Sequence, residues 1–147
     1  VYDVIVADNV HPARSGSGSL YTVEHFRAVR GRLAPGGLFC QWLPLHQMDL
    51  ATLRSIVRSF QAVYPDARAV LATHSLVTPV LGLVGGGPSR TSPAAIQTAL
   101  DAAAAGAAPA DHGLADPWAV LGSFVAGPAA LARWAEGAPL NTDDHPV

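Results

Sequence analysis

The chain has 147 residues, half of them hydrophobic, and its formal net charge is −2. This length and composition suit one folded domain with a sizeable core and exclude a disordered protein. The nine cationic residues are all Arg and lie scattered along the sequence, so a basic patch for nucleic acid is not expected. No apolar run reaches the roughly 18 residues of a bilayer span, and no signal-peptide pattern is present, so we expect no membrane contact by this segment.

The first predicted element is a short strand that ends in a carboxylate. Val4–Ala7 is an apolar run without alternation, which predicts a strand covered on both faces of a parallel sheet. Asp8 ends the run, and a loop rich in Pro, Ser and Gly follows. Open α/β sheets bind ligands at the carboxyl ends of their strands, so Asp8 is a site candidate. Alternatively, its carboxylate only accepts backbone N–H bonds in the loop.

Two helices and a second strand follow at regular spacing. Thr22 is a predicted N-cap, and the helix after it ends before Pro35-Gly36-Gly37. A second apolar strand is predicted over Leu38–Leu43. Asp49 caps the next helix, which carries one apolar stripe and ends at Pro65.

The later part of the chain predicts a hairpin and then helices. Two β-prone runs, 67–72 and 76–84, read as an antiparallel hairpin. The order strand, helix, strand, helix, hairpin indicates half of a doubly wound α/β sheet with an antiparallel edge. We therefore divide the chain into a partial Rossmann-like domain at 1–84, a Gly-rich linker at 85–92 and a helical segment at 93–147. Three helices are expected to start in that segment and to pack on the sheet, at Ser92-Pro93, Asp116-Pro117 and Gly127-Pro128.

The sequence gives little support for a disulfide or a metal site. Cys40 is the single cysteine and stands in an apolar strand, which is typical of a small core residue. The six histidines form no His-x-x-x-His pattern, and there is no Cys-x-x-Cys pair. We expect no bound metal.

Three segments together resemble the spermidine synthase family. They are Tyr2-Asp-Val-Ile-Val-Ala-Asp8, Leu20-Tyr-Thr-Val-Glu-His-Phe26 and Leu33-Ala-Pro-Gly-Gly-Leu-Phe-Cys-Gln41. His11-Pro12 after the first Asp, Gln41-Trp-Leu-Pro-Leu45 and the closing Asn141-Thr-Asp-Asp-His-Pro-Val147 look more like the members fused to membrane segments. The resemblance covers residues 1–84 and the last seven.

This resemblance implies a fold, a place within a longer protein and a cellular location for the chain. The family has a methyltransferase-type Rossmann sheet after a small β domain, and this chain corresponds to the later half of that sheet. The chain begins with Val1 and a strand follows at once, which favours a start inside a longer product. The family's Gly-rich nucleoside loop has no counterpart here, so we expect the chain alone to be inactive. The resemblance also implies a cytoplasmic location, or the cytoplasmic face of a membrane for a fused parent, and it leaves a homodimer open.

The same resemblance implies an activity and residues for it. Family members transfer an aminopropyl group from decarboxylated S-adenosylmethionine to an amine, without a prosthetic group. Asp8 would be the catalytic residue and would contact both amine and co-substrate. Gln41 matches a family Gln near the nucleoside, although a strand-end amide can equally bond backbone.

His11 and Tyr21 are further substrate-binding candidates. Polyamine-making members usually carry a second Asp where His11 stands, and a His with an ordinary pKa of about 6.5 attracts a cationic amine less. This departure leaves open another amine, methyl transfer from S-adenosylmethionine, or a non-catalytic domain beside membrane segments. His11 can also be a loop residue bonded to backbone. Tyr21 follows the loop directly and either lines a pocket or packs in the core.

Overall fold

The computed structural model describes residues 1–8, 10, 17–72, 77–87, 92–104, 106 and 108–145. Within them the strands are β1 Tyr2–Ala7, β2 Leu33–Pro44, β3 Arg68–Leu71, β4 Val80–Gly86 and β5 Phe124–Ala126. The helices are α1 Val23–Arg30, α2 Leu50–Val63, α3 Pro93–Ala103, α4 Pro117–Gly122 and α5 Pro128–Ala135. Short 3₁₀ helices cover Ser17–Tyr21, Leu45–Gln47 and Pro109–His112.

The strands form one mixed sheet in the order β1-β2-β4-β3-β5. β1 and β2 are parallel, and the three other pairs are antiparallel. The predicted order of strand, helix, strand, helix and hairpin is confirmed. β5 was not predicted, because a three-residue strand is too short to show a period in the sequence.

Helix starts follow the predicted caps. The Thr22 hydroxyl accepts from His25 N at 3.2 Å, and Asp49 Oδ1 accepts from Thr52 N at 2.7 Å. Each bond satisfies one of the N–H groups that a helix N-terminus leaves unpaired. The three later helices begin at the predicted Ser92, Asp116 and Gly127 caps.

The core is an aromatic cluster between the sheet and the first two helices. Phe26 on α1, Phe39 on β2 and Phe60 on α2 are fully buried. The ring centroids of Phe26 and Phe60 lie 5.1 Å apart, and those of Phe60 and Tyr64 lie 4.9 Å apart. These separations are typical of favourable aromatic pairs. The cluster fixes α1 and α2 on one face of β2.

The structure corrects three of the expectations above. β1 is not covered on both faces: Val4 and Val6 are 59% and 58% exposed, because only the opposite face, with Ile5 and Ala7, packs toward the core. Pro35–Gly37 lies inside β2, because α1 already ends at Arg30. Gly85 and Gly86, expected in the linker, pair with β2 as part of β4.

Candidate active site

The parallel pairing of β1 and β2 brings Asp8 and Gln41 together. Ala7, the last residue of β1, is paired with Gln41 in the later part of β2. Asp8 is the next residue along the chain and therefore leaves the sheet beside Gln41. The structure therefore places these two candidate residues next to each other at the carboxyl end of β1.

Gln41 links the two strands by its side chain. It is 1% exposed, and its Nε2 donates to the backbone oxygens of Trp42 at 3.1 Å and of Asp8 at 3.4 Å. Its Oε1 is buried without a hydrogen-bond partner among the described residues. A buried acceptor left unpaired costs about 1–3 kcal/mol, so this oxygen is a ready partner for a ligand N–H. The amide nitrogen of Gln41 thus bonds the backbone, which is one of the two roles considered for this side chain, while its Oε1 acceptor is not used by the described residues.

Tyr21 contacts the chain two residues after Asp8. It ends the 3₁₀ helix Ser17–Tyr21 and is fully buried. Its hydroxyl accepts from Val10 N at 3.1 Å and donates to Val10 O. Burial raises the pKa of the phenol, the bond to Val10 lowers it, and the charge of Asp8 raises it further. The phenol is therefore neutral and lies within electrostatic reach of the Asp8 carboxylate.

The structure thus gathers three of the four predicted site residues around the segment that follows β1. Gln41 bonds the backbone of Asp8, and Tyr21 bonds the backbone of Val10 two residues later. His11, the fourth, lies outside the described residues.

The closing segment of the chain also reaches this site, which the sequence did not reveal. Asn141 is fully buried, and its Nδ2 donates to Gly18 O at 3.1 Å. Its backbone N donates to Ser59 Oγ on α2 at 2.7 Å, and its backbone O accepts from Val23 N at 3.0 Å. The resemblance to the family's last seven residues was the one signal that marked this segment.

A second contact joins the closing segment to the N-terminus of α1. The Thr22 hydroxyl lies 2.7 Å from Asp143 Oδ1 and 2.9 Å from Ser19 O, and it donates to one of them at a time. Asp143 N donates to Glu24 Oε2 at 3.2 Å. Burial lowers the pKa of His25, and the Asp143 carboxylate opposes this shift. The Asn141–Asp143 segment is therefore packed against the start of α1.

The described part of the chain holds no cluster of three or more His, Cys, Asp or Glu side chains placed to bind a metal ion. No helix described in the structure has the length and apolarity to cross a bilayer.

Comparison with known proteins shows the fold. No protein-family model matches the chain, and no similar curated protein was found. Among solved structures, a probable spermidine synthase from Corynebacterium glutamicum is 20% identical, with a TM-score of 0.58. The match covers 96% of this chain and 47% of that one, so this chain spans about half the length of the solved structure. The fold is similar to that of a spermidine synthase. At this identity the likeness concerns the methyltransferase-like fold, and the activity is a separate question.

Proposed function

We propose that the chain is part of a spermidine synthase-like transferase, which moves an aminopropyl group from decarboxylated S-adenosylmethionine to an amine. The observation that carries the proposal is the place of Asp8, beside Gln41 at the carboxyl end of a parallel strand pair. The fold similar to that of a spermidine synthase supports it. The sequence motifs support a finer proposal. The chain is the later half of the family's sheet, and the full-length protein is fused to membrane segments. Its expected location is the cytoplasm or the cytoplasmic face of a membrane.

The Asp8 carboxylate can both orient the amine nucleophile and accept its proton. An alkyl amine is protonated at neutral pH, and a carboxylate orients the ammonium by a charge-assisted hydrogen bond. The amine must lose a proton to use its lone pair, and Asp8 accepts that proton as general base. The nitrogen then bonds to the methylene carbon beside the sulfonium, the carbon–sulfur bond breaks, and its electron pair leaves with sulfur as methylthioadenosine.

Gln41 and His11 are assigned to binding in this proposal. The unpaired Oε1 of Gln41 suits an N–H donor, such as the exocyclic amine of an adenine ring. His11 replaces a second carboxylate in the family pattern, so the acceptor is expected to be an amine with less positive charge than a diamine. Tyr21 uses its hydroxyl on Val10, which argues against direct contact with substrate.

The test uses the complete gene product with each adenosyl donor and a panel of amines, and it identifies the released nucleoside by mass spectrometry. Methylthioadenosine together with an aminopropylated amine supports the proposal. S-adenosylhomocysteine would move the assignment to methyl transfer, the alternative that His11 motivates. A protein that binds a donor and yields no product favours the non-catalytic domain, and one that binds neither donor in calorimetry overturns the family assignment.

Asp8→Asn is the decisive variant. It keeps the size of the side chain and removes the base, so kcat should fall by about 10²- to 10⁴-fold. Asp3→Asn is the matched control, because Asp3 is an exposed carboxylate in β1, the strand that precedes Asp8. Its kcat should stay within about twofold of wild type. Equal kcat values for the two variants would show that Asp8 is not the general base.

A further inference from the structure

We propose that Tyr21 is a positioning residue, which holds the Asp8 carboxylate in place by fixing the backbone of Val10, and that the closing segment Asn141–Asp143 holds Tyr21 in turn. The role assigned to Asp8 rests on the proposed function. The contacts themselves are independent of it.

The Tyr21 hydroxyl is committed to one residue. It accepts from Val10 N and donates to Val10 O, so a single phenol binds both polar groups of the same backbone residue. A hydroxyl has one proton to donate, and here that proton is used. Because the ring is fully buried, its position is set by the core and not by a bound molecule.

Gln41 holds the other end of the same short segment. Its Nε2 donates to Asp8 O, while Tyr21 holds Val10 two residues later. Neither Asp8 nor Val10 belongs to a strand or helix. Two buried side chains thus bond the backbone after the sheet hydrogen bonds end at Ala7, Gln41 at Asp8 and Tyr21 at Val10.

The closing segment holds the residues on either side of Tyr21 by hydrogen bonds. Asn141 joins three elements, because it bonds Gly18 O in the 3₁₀ helix, Val23 N on α1 and Ser59 Oγ on α2. Asp143 adds a contact to Thr22, the residue directly after Tyr21. A continuous path of hydrogen bonds and covalent links therefore runs from α2 through the closing segment and Tyr21 to Val10.

The first experiment compares two Tyr→Phe variants of the 147-residue chain by amide hydrogen exchange and by the carboxyl ¹³C resonance of Asp8. Tyr21→Phe removes the acceptor of Val10 N–H, so exchange at Val10 should rise at least about tenfold and the Asp8 resonance should move. Tyr64→Phe is the matched control, because the Tyr64 hydroxyl is buried and has no hydrogen-bond partner among the described residues. It should change neither signal. Equal behaviour of the two variants, or an unchanged Val10 rate, overturns the positioning role.

The second experiment measures turnover of the complete gene product with the same two variants. A positioning role predicts that Tyr21→Phe lowers kcat about tenfold and leaves the KM for the adenosyl donor unchanged, while Tyr64→Phe leaves both unchanged. A raised donor KM with normal kcat would instead assign Tyr21 to binding and overturn the proposal. If the wild type shows no turnover, the proposed function fails, whereas the exchange and ¹³C signals still decide whether Tyr21 fixes the segment.

Asp143→Asn tests the closing segment. The Asp143 carboxylate raises the pKa of His25 against the effect of burial, so its removal should lower that pKa further in an NMR titration of the imidazole. Val10 exchange should rise as well, by less than in Tyr21→Phe. An unchanged pKa of His25 would show that the segment does not rest on α1, and that part of the proposal would be wrong.

Discussion

Buried polar residues gather around one end of the sheet. Thr22, Ser59 and Asn141 lie within one hydrogen-bonded region, and Gln41 lies near the carboxyl end of β1. Buried polar groups need partners, and those partners fix one geometry where apolar side chains would accept several. Their placement therefore favours a defined site structure over maximal stability.

Cys40 lies on β2 directly before Gln41, and its reactivity is set by burial. It is 7% exposed, and burial raises the pKa of its thiol to about 11. The thiolate is the reactive form, so at pH 8 a disulfide reagent should react about 10²-fold more slowly than with a free thiol. A colorimetric thiol assay in buffer and in urea checks this, and urea should release the single thiol. Complete labelling within minutes without urea would contradict the buried position.

At the scale of elements, α2 is packed on β4 through a glycine. A methyl group on Gly85 would lie 2.4 Å from Cγ of the Tyr64 ring, far inside contact distance. Tyr64 closes α2 and stacks on Phe60 in the aromatic cluster, so the ring has little room to move. Close packing of this helix end on the sheet thus depends on the missing side chain.

Gly85→Ala should lower the free energy of unfolding by about 1–3 kcal/mol, because the added methyl group overpacks the core. Urea denaturation measures the change. Gly122→Ala is the control, since an added methyl group there meets no atom within 4 Å and Ala favours a helix. That variant should be neutral or slightly more stable. A Gly85→Ala protein as stable as wild type would show that Tyr64 does not pack on β4.

The elements that could be predicted from the sequence are those with local signals. α1 and α2 carry a capping residue and an apolar stripe, and both begin where Thr22 and Asp49 indicated. Asp8 could be named as a candidate because it directly follows an apolar run, which is also a local signal. The contacts of Tyr21 and Asn141 were missed, because they join residues 11 and 123 positions apart and leave no local pattern.

At the scale of the whole molecule, the first strand presents an exposed apolar face. β1 is an outer strand, and Tyr2, Val4 and Val6 are all more than half exposed on one of its faces. A cleft of about 500 Å³ runs along β1 and α1, with His25 and Arg32 on its wall. An outer strand with β-branched residues and unpaired backbone groups is a template for another strand.

The 147-residue chain should therefore associate through β1 as its concentration rises, by strand addition along its open edge, which brings Val4 and Val6 beside side chains of the added strand. Val4→Lys places a charge in the exposed apolar face of β1 and should shift the sample toward monomer in light scattering coupled to gel filtration, because a charge at the new interface would lose its solvent. Val77→Lys is the control: Val77 is 89% exposed outside any strand, so the added charge leaves the β1 edge intact and association should persist. If both variants dissociate equally, the effect is one of net charge, and β1 is not the surface that joins the copies. If only Val4→Lys does, the sheet accepts a further strand at the open edge of β1, the strand that directly precedes Asp8.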